Sequence, residues 1–189
     1  MSDAMVSTSC STPTVDEANW KALIDRCAES GEDIIINNGS AEHAAYLLEK
    51  FFSCAKEEVL IFSGELFDRT FGREAVLQKA IEFLKTAGRK ICVIFESKDA
   101  TIENIKNNPF IKAIINAQPL AGSFELYDGR YFSGKANHFA VMDKRAFRYE
   151  LVHQNSIAIA NFGDHEFANE LSQLFEVIAL GSERAVLGV

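Results

Sequence analysis

Two hydrophobic rhythms alternate along the chain. From Asp16 to about Ser30, Trp20, Leu23, Ile24 and Cys27 recur at spacings of three and four, which predicts an amphipathic helix capped by Asp16. A β-branched run, Ile34 to Ile36, predicts a short strand that Asn37, Asn38 and Gly39 break. Ser40 is then placed to cap a helix whose stripe is Ala44, Leu47, Leu48, Phe51, Phe52 and Ala55. "EVLIFSGEL" (58–66) and "KICVIFE" (90–96) are continuous apolar runs, the pattern of strands covered on both faces. Between them a helix is predicted from about Arg73 to Thr86, with Gly88 as its stop. Residues 97–119 predict two short helices, the second opened by Pro109.

The second half is strand-rich. "GSFELYD" (122–128), "HFAVMD", "AFRYEL" and "NSIAIANF" (155–162) all predict strands, the middle pair joined in a hairpin at Asp143, Lys144 and Arg145. Asp164 caps a final helix with Phe167, Leu171, Leu174, Phe175 and Ile178 on one face. Alternating strands and helices imply an α/β layered fold with parallel pairing in the first half. No internal repeat is visible. The expected organisation is a disordered Ser/Thr-rich leader over residues 1–14 and one domain over 15–189.

Composition narrows the function classes. The chain has 189 residues, a formal net charge of −8 and 48% hydrophobic residues, fifteen of them Phe, so a core without staples is affordable. The acidic balance argues against bulk nucleic-acid binding and against an anionic membrane, while leaving room for a local basic pocket. No apolar run suggests a membrane span. Cys10, Cys27, Cys54 and Cys92 share no metal-ligand spacing. They are read as reduced thiols of a cytoplasmic protein, and no metal or cofactor is expected.

The chemistry concentrates in "NHFAVMDKRAFRYE" (137–150), where His138, Asp143, Arg148 and Glu150 are threaded through an apolar alternation. Arg148 and Glu150 share one face, so they read either as an ordinary same-face ion pair or as a phosphate or carboxylate grip. Asp143 also suits a turn through its backbone hydrogen bonds. Ser63 and Glu65 end a buried strand, where α/β sheets place ligands. Arg130 and Lys135 in "YDGRYFSGK" are candidate anion contacts. His43, His153 and His165 have no partner at metal spacing.

"HFAVMDKRAFRYE" followed by "NSIAIANFGDHEFANELSQLFE" resembles the phospholipase D superfamily. The family carries a His, a Lys two residues on and an Asp seven residues after the His. Asp143 matches the Asp, "FAVMD" its approach, and "NFGDHEFANELSQLFE" the closing strand and helix. The resemblance spans residues 34–179 in topology and implies a mixed sheet with helices on both faces. Counting back from Asp143, Ala136 falls at the nucleophile position and His138 at the Lys position, and "FRYELV" stands where a Gly-Ser step is expected. Single-copy members pair to build their cleft, so the resemblance implies a homodimer. The expected function is a non-catalytic binding or regulatory module, of bacterial or phage origin, for a phosphate-containing ligand or a protein partner. Two alternatives stand beside it: a phosphodiesterase or nuclease using His138 with Arg148 and Glu150, and a structural partner acting through an exposed Phe-rich surface.

Overall fold

The computed structural model describes residues 15–64, 66–96, 102–152 and 157–185. The chain runs α1 (Val15–Ser30), β1 (Ile36–Asn38), α2 (Ala41–Cys54), β2 (Glu58–Ser63), α3 (Asp68–Phe71), α4 (Glu74–Leu84), β3 (Lys90–Phe95), α5 (Ile102–Lys106), α6 (Pro109–Asn116) and β4 (Ser123–Asp128). A 3₁₀ turn (Arg130–Phe132) leads into β5 (Phe139–Met142), β6 (Ala146–Val152), β7 (Ile157–Asn161), α7 (His165–Leu180) and β8 (Glu183–Arg184). The strands form one mixed sheet in the order β1-β7-β6-β5-β2-β3-β4-β8. The expected trio "VLIF", "CVIF" and "FAVM" lies at its centre, as β2, β3 and β5.

Parallel pairing holds for β2 with β3 and β3 with β4, in register Val59↔Ile91 and Ile91↔Phe124. It fails for β1, which crosses to the far edge and pairs antiparallel with β7. The first strand also sits later than the β-branched run suggests. Ile36 pairs with Ala160 and Asn38 with Ala158, whereas Ile34 and Ile35 are exposed before the strand begins. Asn37 and Asn38 therefore do not break this strand; they form it. The Asn38 side chain is buried and donates to Ser40 O at 2.9 Å, which offsets the cost of burying an amide.

Local chemistry explains several other boundaries. Ser40 Oγ accepts from His43 N and Asp164 Oδ1 from Phe167 N, each at 3.0 Å, satisfying amides that a helix start leaves unpaired. Asn108 does the same for Phe110 N, with Pro109 in the first helical turn. The β5–β6 hairpin turns through Asp143 and Lys144, both left-handed at φ +50° and +53°, and Arg145 N closes onto Met142 O at 3.0 Å. Those are the features of a type I′ turn, whose twist matches the flanking strands.

The sheet separates two cores. On one face Val59, Ile61, Ile91, Val93, Ala140 and Met142 pack with Leu47, Phe51 and Phe52 of α2 and with α4 and α6 residues. On the other, Leu60, Phe62, Ile94, Phe139, Val141 and Phe147 pack under Leu171, Phe175 and Ile178 of α7. Helices thus cover both faces, and the period-two alternation of β2, β3 and β5 is filled on each side. Cys27 and Cys92 are buried as free thiols and Cys54 is half-buried. The leader over residues 1–14 and Cys10 lie outside the described residues. No described helix is long and apolar enough to cross a membrane.

Candidate functional site

The carboxyl ends of β2 and β3 meet the start of β5 and the end of β6 at one end of the sheet. Antiparallel pairing sets Glu150 against His138, with Glu150 N donating to His138 O at 2.9 Å. Arg148 and Glu150 alternate with Phe147 and Tyr149, whose rings pack edge-on against Phe167 of α7. Arg148 and Glu150 consequently point away from α7. Glu96, just past β3, is anchored by its own N–H donating to Ser63 O at 3.0 Å.

His138 is bracketed. Its Nε2 lies 2.8 Å from Glu96 Oε1 and its Nδ1 lies 3.1 Å from Glu150 Oε2. A ring that donates from both nitrogens can satisfy both carboxylates together, so this geometry favours the doubly protonated imidazole. Burial is the largest influence on His138 and disfavours that charge. The hydrogen bonds and negative charges of Glu150 and Glu96 outweigh it, and the pKa is raised above its ordinary 6.5. For Glu150, burial again acts first, favouring the neutral acid. His138 and Arg148 reverse it and hold the carboxyl below its ordinary 4.5.

The network extends inward. Arg148 Nη1 donates to Glu150 Oε1 at 3.0 Å, and Arg148 Nε to Asn38 Oδ1 at 2.6 Å. Arg148 is buried. Its guanidinium is held by groups from two other positions in the sheet, and removing either leaves a buried charge undercompensated. Glu96 Oε2 accepts from Gly134 N at 2.8 Å, tying the 129–138 loop to the same cluster. Gly64 leaves the imidazole its room: a Cβ there would sit 3.1 Å from His138 Cε1. Chemically the cluster is a two-carboxylate cage that favours the protonated form of the imidazole. A ring protonated on both nitrogens has no lone pair with which to attack phosphorus.

Three expected site residues, His138, Arg148 and Glu150, thus converge. Ser63 joins only through its backbone. Asp143 lies at the other end of β5, where Oδ2 accepts from Lys56 N at 2.8 Å and Oδ1 from Glu57 N at 2.9 Å and Glu58 N at 3.0 Å. Arg130 is clasped by Asp128, Nε to Oδ2 at 2.8 Å. Lys135 stands over the Tyr131 ring at 3.6 Å. Glu65 and His153 lie outside the described residues. The sequence reading missed Glu96 and Asn38. Glu96 had a visible signal, a carboxylate directly after a buried strand, at the ligand end of an α/β sheet. Asn38 had none, because its role depends on β1 crossing the sheet. No group of three or more His, Cys, Asp or Glu among the described residues is arranged to hold a metal.

The same architecture recurs among solved structures. Over 90% of its length, the chain superposes on TrmBL2, an archaeal chromatin protein that shows a novel mode of DNA binding, with TM-score 0.59 and 12% identity. It also superposes on Nuc from Salmonella typhimurium, a phospholipase D family member, with TM-score 0.55 and 13% identity over 82% of this chain and 99% of that one. The fold is phospholipase D-like. This phospholipase D-like domain spans 63% of the TrmBL2 chain. No protein-family model matches the sequence, and no curated protein matches it. Within the phospholipase D-like sheet, the cage of His138, Glu96, Glu150 and Arg148 occupies the strand-end position described above.

Proposed function

We propose that this phospholipase D-like domain is a non-catalytic binding or regulatory module that works as a homodimer and takes a phosphate-containing ligand or a protein partner. The observation that carries the reading is the bracketed imidazole: both ring nitrogens of His138 are engaged by carboxylates within 3.1 Å. The register supports it. With Asp143 at the family's Asp, the nucleophile position holds Ala136, which has no reactive group, and the Lys position holds His138. Arg148, the nearest buried cation, is itself bound by Glu150 and Asn38.

The dimer follows from the resemblance, in which single-copy members pair to build their cleft. TrmBL2 is a DNA-binding protein with this fold, which weighs against excluding nucleic acid on the net charge of −8 alone. DNA therefore belongs among the ligands to be screened. The enzymatic alternative is favoured by one observation: His138, Glu150 and Arg148 do converge within hydrogen-bond distance. The partner alternative loses its Phe-rich surface, because Phe67 is the one exposed Phe of the fifteen.

The test is turnover of bis-p-nitrophenyl phosphate, single-stranded DNA and a phospholipid by the wild type and by His138→Ala. No turnover by either is expected. Turnover by the wild type that the substitution abolishes overturns the non-catalytic reading and makes His138 the nucleophile. Light scattering should give a species of twice 21.0 kDa at micromolar concentration; a monomer there removes the homodimer.

A further inference from the structure

The outer face of α7 divides into two chemically distinct halves. At about 100° per residue, Glu166, Glu170, Gln173, Leu174, Val177 and Leu180 fall on one arc of roughly 120°, opposite the buried Ala168, Leu171, Phe175 and Ile178. All six are exposed. The amino-terminal half of the arc is acidic. The carboxyl-terminal half is apolar: Val177 is 62% exposed and Leu180 88%. Tyr131, 74% exposed, extends the apolar part, because its neighbour Phe132 packs against Gly181 just beyond the helix. Glu183, also exposed, continues the acidic surroundings, while Glu176 pairs with Lys144. The cations nearby are already engaged: Lys144 with Glu176 at 3.7 Å, Arg184 with Glu125 at 2.9 Å, and Lys135 over Tyr131.

We infer that this face of α7 is a docking surface for a basic amphipathic helix of another protein. Charge complementarity selects that occupant. The arc from Glu166 to Leu180 runs about 21 Å, the length of some four helical turns. A partner helix with one apolar edge covers Leu174, Val177 and Leu180, while Lys or Arg along its flank meets Glu166 and Glu170. A second copy of this chain is a poor fit. An antiparallel α7 pair sets the acidic half of each helix against the apolar half of the other, and a parallel pair sets glutamate against glutamate. Anionic lipid is disfavoured by the same glutamates. The surface lies on the side of the sheet away from Arg148 and Glu150, and the inference does not rest on the reading of that cage.

The probe is a synthetic helical peptide with Leu along one face and Lys flanking it, compared with an otherwise identical peptide carrying Glu for Lys. Binding to the full chain is measured by fluorescence anisotropy at 0.15 M and 0.5 M salt. The Lys peptide should bind at least tenfold more tightly than the Glu peptide, and more weakly at high salt. The double variant Val177→Ser, Leu180→Ser, which removes the apolar contact without adding charge, should lose tenfold or more for the Lys peptide. Glu166→Lys, Glu170→Lys should reverse the peptide preference. Both pairs are on the surface, and unchanged circular dichroism melting checks that the fold persists. Equal binding of the two peptides, or binding indifferent to these variants, overturns the proposal. So does self-association, or adsorption to phosphatidylserine vesicles, that Val177→Ser, Leu180→Ser abolishes, since the face then belongs to a second copy or to a membrane.

Discussion

Replacing Asp143 by Ala is expected to destabilise the fold by about 3–4 kcal/mol. The Asp143 carboxylate is 9% exposed and accepts from three successive backbone amides, those of Lys56, Glu57 and Glu58. Hydrogen bonds to a charged group contribute roughly 1.5–3 kcal/mol each when their loss leaves a buried donor, and less where water can replace the acceptor. Lys56 and Glu57 are exposed, so their amides rehydrate and lose about 1 kcal/mol apiece. Glu58 N, half-buried at the start of β2, accounts for a further ~1.5 kcal/mol. Asp143 is also left-handed at φ +50°, where Ala is strained and Asp is tolerated. Asp143→Asn keeps that tolerance and one acceptor, and should cost about half as much. Urea denaturation measures both variants; the midpoint should fall with the slope unchanged. A loss below about 1 kcal/mol for Asp143→Ala would refute the reasoning, and would mean that the three amides are satisfied without this side chain.

His138 should titrate above 6.5 when its ring Cε1 proton is followed by NMR, and Glu150→Gln should lower the midpoint; a wild-type midpoint at or below 6.5 contradicts the cage. Because its folded pKa is raised, the stability it contributes is full below pH 6.5 and is lost as pH rises through the folded value. Glu150, held below 4.5, contributes stability that is present above pH 4.5 and lost as pH falls through its folded value. The cage should therefore stabilise most between pH 4.5 and 6.5, a window that a series of thermal melts on the wild type and His138→Ala resolves. Gly163→Ala should cost more than about 2 kcal/mol in the same urea assay, since a Cβ there would overlap Gly31 O and lie 2.7 Å from Asp33 N; a neutral result would mean that the 31–33 loop yields freely. Cys92, buried and with its thiol pushed up to about 12, should resist alkylation at pH 8 in the folded protein and react only on unfolding.

Local pattern made most of the elements legible, β1, α3 and β8 excepted. β2, β3, β5 and the stripes of α2 and α7 follow from local periodicity, and Ser40, Asp164 and Pro109 mark helix starts because capping is chemistry between residues three or fewer apart. The closing segment from Asn161 to Glu176 was legible for the same reason, and it carried the phospholipase D resemblance. Part of the site was legible too: His138, Arg148 and Glu150 lie on adjacent strands of one hairpin, so their meeting needs only the register that the turn at Asp143 sets. Tertiary structure alone decided the rest. β1 pairs with β7 rather than β2, a choice across more than a hundred residues that no local pattern encodes, and it delivers Asn38 to Arg148. Glu96 reaches His138 only because β2 lies between β3 and β5. His138, a nucleophile only in the alternative reading, lies between two carboxylates, and what surrounds a half-buried ring is set by strands distant in the chain.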